Sequence, residues 1–218
     1  MTTRSDDHEL AVVLQAASIG LQYPDDTVLA ALPVVRAAVD RLPSAAARRH
    51  LVEFLDEAES TRPLDLQEHY VRVLDRKRRC CLYLTWWTEG ETRRRGLALA
   101  ELKQLYRGKG FELRSTELPD FLPVVLEFAA AWPDVGLQVL QDRRAALELV
   151  RMALQDAGSL YARPVQAVCS LLPGPTPRDE AAARAMARTG PPDERVGLTP
   201  YGGLDLGPTS LVPTEVRR

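Results

Sequence analysis

His8, His50, His69 and the vicinal pair Cys80-Cys81 are the residues of this chain best suited to metal or proton chemistry. None of the histidines has a His or Cys at i+3 or i+4, the spacing that sets two ligands on one helical face. They read as surface or packing histidines. Adjacent cysteines cannot both reach one zinc without strain, and with Cys169 they make neither a CxxC pair nor a disulfide framework, as expected in a reducing compartment. The chain has no GxGxxG, GxxxxGK[ST] or GxSxG, and no nucleophile stands beside a base. It therefore reads as a non-enzyme with no metal or cofactor of its own.

Charge offers a second chemistry. Arg76-Lys77-Arg78-Arg79 and Arg93-Arg94-Arg95 dominate a stretch, Tyr70 to Arg114, with 12 Lys or Arg against 5 Asp or Glu. Such a patch could hold nucleic acid, and a helical nucleic-acid-binding regulator is the alternative reading. Against it, the chain as a whole carries a net charge of -2 and shows no helix-turn-helix or zinc module. A solvated face, or arginines paired with Asp75, Glu89, Glu91 and Asp120, is the preferred account. Between the basic runs, Tyr83, Trp86 and Trp87 put three aromatics in five positions. Each could be core, but neighbouring tryptophans on a helix point about 100° apart, so one is a candidate groove wall.

Apolar residues at helical spacing supply the elements that must position these groups. Leu10, Val13, Leu14, Ala17 and Leu21 predict a first helix capped by Asp6 or Asp7. Val28 to Leu42 predict a second that Pro33 kinks or restarts and Pro43 ends. Ser44 should cap a third, through Ala58, and Pro63 should open a fourth, through Tyr70. A helix beginning near Glu91 should end at Gly108 or Gly110. Leu118, Phe121, Leu122, Val125, Phe128 and Ala129 make the broadest stripe, wide enough for a central helix buried on more than one side. Leu140, Leu147, Val150 and Leu154 mark another, and Val165 to Leu172 a last short one after Pro164. No segment alternates like a strand. The fold class is all-α: a helical bundle over 1–175, a short exposed helix within 176–189, and a Pro/Gly-rich flexible tail over 190–218. The N-terminus lacks the apolar run of a secretory signal, and no stretch reaches the ~18 apolar residues of a membrane span, so the expected compartment is the cytoplasm, without membrane insertion.

One block carries a family resemblance. HYVRVLDRKRRCCLYLTWWTEGETRRRGLALAELKQLYRGKGFEL (His69 to Leu113) followed by ELPDFLPVVLEFAA (Glu117 to Ala130) resembles the NarJ family of nitrate reductase assembly chaperones, a branch of the TorD-like chaperones. Tyr70, Asp75, the LYLT segment, the glycine-bounded arginine pattern from Gly90 to Gly96 and the ELPDxLPxxLEF element occur in the family's order and spacing. The departure is Phe121, where many relatives have His.

The resemblance implies a TorD/NarJ-type bundle that binds the apo catalytic alpha subunit of respiratory nitrate reductase, including its N-terminal segment. It also implies that this client is kept competent for molybdenum cofactor insertion and membrane docking, without turnover and without the chaperone becoming a permanent subunit. Together with the aromatic segment read above, it gives the candidate client-binding residues Tyr70, Asp75, Tyr83, Trp86, Trp87, Glu117, Pro119, Asp120, Phe121, Leu122 and Glu127. An apolar stripe beside Glu117 and Asp120 would suit an amphipathic or basic segment laid in a groove. Pro119 suits the first turn of its helix and Asp120 the positive end of the dipole, so Asp120 is either a helix-end stabiliser or a client contact.

Overall fold

The computed structural model describes residues 4–113 and 117–189. The expected tail at 190–218 lies outside the described residues. The chain is all-α: α1 (Arg4–Gly20), α2 (Asp26–Val39), α3 (Ala45–Ser60), α4 (Pro63–Tyr70), α5 (Leu84–Glu89), α6 (Arg93–Gly108), α7 (Leu122–Ala131), α8 (Pro133–Asp142), α9 (Arg144–Asp156), α10 (Ala162–Leu171) and α11 (Glu180–Thr189). A π-helical turn, Val71–Asp75, continues α4, and a 3-10 turn, Arg78–Cys80, leads toward α5. No strand occurs among the described residues; the β-pairing seen is one isolated antiparallel bridge, Tyr83 to Phe121.

Local rules account for several boundaries. Ser44 Oγ accepts from the Ala47 amide at the start of α3, and Asp25 caps α2 through Val28 N at 2.8 Å. Pro63 opens α4, where its missing N–H costs nothing. Gly110, with φ of 72°, follows α6 and takes the left-handed conformation glycine permits. Two expectations are corrected. Asp6 and Asp7 lie inside α1, which begins at Arg4. Pro33 does not restart the helix: it lies within a single helical segment, its ring exposed while Leu32 and Val35 face the core.

One apolar core runs from α1 through α10. α1 packs against α2, α3, α7 and α10. Val13, Leu14, Ala17 and Leu21 are inaccessible to solvent, as the periodicity required. α7 is likewise buried on two sides, packing on α1 and α8 through Val125, Leu126, Phe128 and Ala129. Ser18 of α1 is fully buried and donates to the Pro123 carbonyl at 2.8 Å, so the hydroxyl ties α1 to the first turn of α7 instead of standing unpaired. α7 and α8 approach so closely that a Cβ on Gly136 would lie 2.2 Å from Ala129 Cα. The stripe from Leu140 to Leu154 divides between α8 and α9. α11 is docked on one face and not wholly exposed: Ala183 is buried in a separate small cluster with Leu149 and Met152 of α9.

Candidate functional site

The two halves of the quoted motif meet across a short backbone crossing. Leu84 N donates to the Asp120 carbonyl at 3.0 Å, and Leu122 N to the Leu82 carbonyl at 2.8 Å. These bonds bracket Tyr83 and Phe121, which therefore form a non-hydrogen-bonded antiparallel pair, the kind whose side chains sit closest. Their ring centroids are 5.3 Å apart.

Asp120 locks this crossing from beneath. It is completely buried, and its Oδ2 accepts from Thr85 N at 3.1 Å and Thr85 Oγ1 at 2.5 Å. Thr85 lies in the first turn of α5, so the carboxylate satisfies an orphan amide and meets the positive end of that helix. Asp120 thus stabilises a helix end, but the end of α5, not of its own helix. Pro119, Asp120 and Phe121 all precede α7, whose first-turn proline is Pro123. Arg95 Nε donates to Thr85 Oγ1 at 3.3 Å, extending the network to α6. Tyr106, also of α6, donates to the Pro119 carbonyl at 2.8 Å.

Carboxylates and phenols border the aromatic pair. Tyr83 donates to Glu117 Oε2 at 2.9 Å. Partial burial, the Glu117 bond and its charge push the Tyr83 phenol up to about 12. Partial desolvation raises the pKa of Asp75 from its ordinary value although the residue is exposed, and the charge of Glu117 adds to it. Tyr70, deeper, is raised mainly by burial and then by Asp75, Glu117 and Tyr83, which places these four groups within electrostatic reach of one another.

Solvent access divides the eleven candidates. Asp75, Glu117 and Glu127 are exposed, while Tyr83, Trp86, Trp87 and Phe121 are half-buried. Tyr70, Pro119, Asp120 and Leu122 are buried, and each has internal work: Tyr70 Oη, for example, donates to the Leu21 carbonyl at 3.2 Å. Trp86 and Trp87 meet edge to face at 5.3 Å. Trp87 Nε1 donates to the Cys81 carbonyl, and its ring packs on the core, so the inward tryptophan is Trp87.

His69 and the vicinal cysteines are tied into the packing. Arg72 donates to His69 Nδ1 at 3.0 Å, which leaves Nε2 to donate to Ser159 Oγ at 2.9 Å. Burial first, then Arg72, lowers the His69 pKa, consistent with a neutral ring. Cys80 and Cys81 are held protonated by burial. No group of His, Cys, Asp and Glu capable of holding a metal occurs among the described residues. Of the basic runs, Arg78 reaches Glu91 at 3.9 Å, both exposed, which is worth little in water.

Sequence reasoning missed one charged set. Arg144, Glu148 and Arg151 share a face of α9 at i, i+4 and i+7; Glu148 is fully buried and lies 2.6 Å from Arg151 and 3.6 Å from Arg144. The arginines also donate to backbone carbonyls of residues 173–177, and Arg151 to Gln155 Oε1; the carbonyl partners are ones that periodicity along α9 could not have disclosed.

Comparison with known proteins puts a family to this architecture. Residues 40–166 match the family described as nitrate reductase delta subunit. The chain is 39% identical over 159 residues to the nitrate reductase-like protein NarX of Mycobacterium tuberculosis (strain ATCC 25618 / H37Rv), covering 72% of this chain and 24% of that protein. It is 34% identical over 152 residues to a protein of Bacillus subtilis (strain 168) described as the nitrate reductase molybdenum cofactor assembly chaperone NarJ, covering 69% and 83% respectively. The NarJ chaperone of Escherichia coli (strain K12) is 38% identical over 110 residues, half of this chain and 47% of that protein. This chain thus spans about a quarter of the mycobacterial relative and about half of the Escherichia coli one. A crystal structure described as a redox enzyme maturation protein from Archaeoglobus fulgidus shares the fold, with a TM-score of 0.57 at 21% identity, over 74% of this chain and 93% of that one. The family match takes in α3 to α9, the Tyr83–Phe121 crossing included, and the chain belongs to the nitrate reductase delta subunit family, NarJ-like as the 69–130 block led us to expect.

Proposed function

We propose that this chain is an assembly chaperone for respiratory nitrate reductase. In this reading it binds the apo catalytic alpha subunit, including its N-terminal segment, and keeps it competent for molybdenum cofactor insertion and membrane docking. It acts in the cytoplasm, turns over no substrate, and leaves before the enzyme is mature. No helix among the described residues is long and apolar enough to cross a membrane.

The observation that carries the proposal is the half-buried aromatic pair Tyr83 and Phe121, bordered by Glu117 and Asp75 and fixed by the Asp120–Thr85 lock. Aromatic rings on a rigid support make good anchors, because little side-chain freedom is lost on binding. The acidic border suits a client segment with basic residues beside apolar ones. Within the candidate set, Tyr83, Phe121, Trp86, Asp75 and Glu117 would touch the client; Tyr70, Pro119, Asp120, Leu122 and Trp87 would hold them in place; Glu127 would extend the contact along α7. The names of the curated relatives lend no support to the nucleic-acid reading.

Heating the protein with and without a peptide copying the client's N-terminus tests this directly. Peptide at about 100 times its dissociation constant should stabilise the fold by roughly 2.7 kcal/mol. An unchanged melting curve together with no calorimetric heat would sink the proposal.

A further inference from the structure

The basic runs are the feature of the sequence that the aromatic site leaves unused. Arg76, Lys77, Arg78 and Arg79 are all exposed on the 3-10 turn and the residues leading into it, and Arg93 and Arg94 are exposed in the first turn of α6. Arg78 reaches Glu91 at 3.9 Å, which brings the two runs, distant in sequence, into one patch. The pairing expected with Asp75, Glu89 and Asp120 does not occur. Among the described residues Arg76, Lys77, Arg79, Arg93 and Arg94 form no ion pair, and Asp120 is engaged by Thr85.

Nor do the arginines of the second run stabilise α6. That helix starts at Arg93 with no acidic residue in its first turn and no side-chain cap, since Thr92 Oγ1 donates to the Glu89 carbonyl. Arg93, Arg94 and Arg95 stand at the positive end of the dipole, where their charge opposes the helix. Neither pairing nor helix electrostatics accounts for the patch.

The adjoining surface is apolar. Leu97, one turn beyond Arg93 and Arg94 and on their side of α6, is 66% exposed, and Ala100 continues the exposed face. A leucine among cations gains nothing from a nucleic-acid backbone, whereas anionic headgroups attract the cations and the layer beneath them takes an apolar side chain. Recognition of one acidic protein face relies on guanidinium forks held in register. Here no side-chain hydrogen bond among the described residues holds Arg76, Arg79, Arg93 or Arg94, and a fluid anionic surface needs no such register.

We propose that this patch, Arg76 to Arg79 with Arg93, Arg94 and Leu97, docks the chain reversibly on a membrane surface of anionic lipid, without insertion of a helix. Each cation near such a surface adds a similar small increment, so binding is cumulative and weakens with salt.

The test is co-sedimentation of the full chain with vesicles of pure phosphatidylcholine and of equal parts phosphatidylcholine and phosphatidylglycerol. The chain should bind the mixed vesicles, less tightly as salt is added, and ignore the neutral ones. Arg76→Gln with Lys77→Gln and Arg79→Gln should weaken that binding at least about tenfold. Arg93→Gln with Arg94→Gln should act in the same direction. All these side chains are exposed, so the melting curves should not fall. Leu97→Ala should weaken binding about threefold, a loss that persists in salt because it is apolar. No binding to the mixed vesicles, equal binding to the neutral ones, or wild-type binding by the triple variant would overturn the proposal. So would duplex DNA or polyglutamate bound more tightly than the vesicles and without regard to Leu97, which would assign the patch to a soluble polyanion. The vesicles contain no client, so the outcome is independent of whether nitrate reductase binds.

Discussion

Asp120 is buried beneath the surface it shapes, and both hydrogen bonds to its Oδ2 come from Thr85. Asp120→Ala removes a charge-assisted pair and strands a buried amide and hydroxyl, so it should lower stability by about 3 kcal/mol. Asp120→Asn keeps an acceptor for Thr85 but buries an NH2 where Oδ1 has no protein partner, so only part of that loss should be recovered. Urea midpoints at constant m would report the difference; an unchanged midpoint for the alanine variant would show that the lock contributes nothing. Asp75 makes a pH prediction. Its folded-state pKa lies above the ordinary value because of partial desolvation and the charge of Glu117, so the ionised form opposes folding. Stability from this group rises as pH falls from the raised folded value through the ordinary carboxylate value near ~4. Asp75→Asn should therefore melt slightly higher than wild type at pH 7, with the advantage gone below pH ~4. A gain independent of pH would refute the electrostatic cause.

At the scale of elements, the tightest seam is α7 against α8. Gly136→Ala puts a methyl against the Ala129 backbone, which cannot rotate away, and should cost at least about 2 kcal/mol as the helices part. A thermal melt within a degree of wild type would show that the seam yields. What was legible in the sequence at this scale was what local chemistry decides: the Ser44 cap, the Pro63 start and the glycine after α6 each follow from one residue's backbone needs. The start of α7 was not legible. Leu118 and Phe121 fit the helical stripe by spacing, yet they precede the helix, because Phe121 is extended to pair with Tyr83. That pairing spans 38 residues and leaves no periodic trace; Pro123, four residues after Pro119, was the available hint. The division of the site into accessible and buried members was hidden for the same reason. Asp120 reads as a helix-end stabiliser or a client contact until its partner on α5 is seen, and nothing along α9 marks Arg144, Glu148 and Arg151, because the carbonyls that hold the arginines lie on residues 173–177.

Across the whole molecule, positioning and contact fall to different residues, and this division can be measured. Tyr83 and Phe121 are half-buried, Phe121 packing against the main core, at a crossing whose backbone bonds do not involve their side chains. Replacing both with alanine should leave the Leu84–Asp120 and Leu122–Leu82 bonds in place, with only a modest fall in melting temperature. Client peptide binding should weaken by at least ~30-fold, since truncating central aromatic anchors commonly costs about 2 kcal/mol or more. Asp120→Ala should show the reverse order, losing stability first and affinity only as the crossing loosens. Glu117→Gln provides the third arm: it retains an acceptor for Tyr83 but removes a charge, so any affinity it loses should diminish as salt is added. Affinity that survives loss of both rings while the melt collapses would mean that Tyr83 and Phe121 are core and that the client binds elsewhere. The opposite pattern, a stable double variant blind to the peptide, would assign the contact to the aromatic pair and the geometry to the carboxylate beneath it.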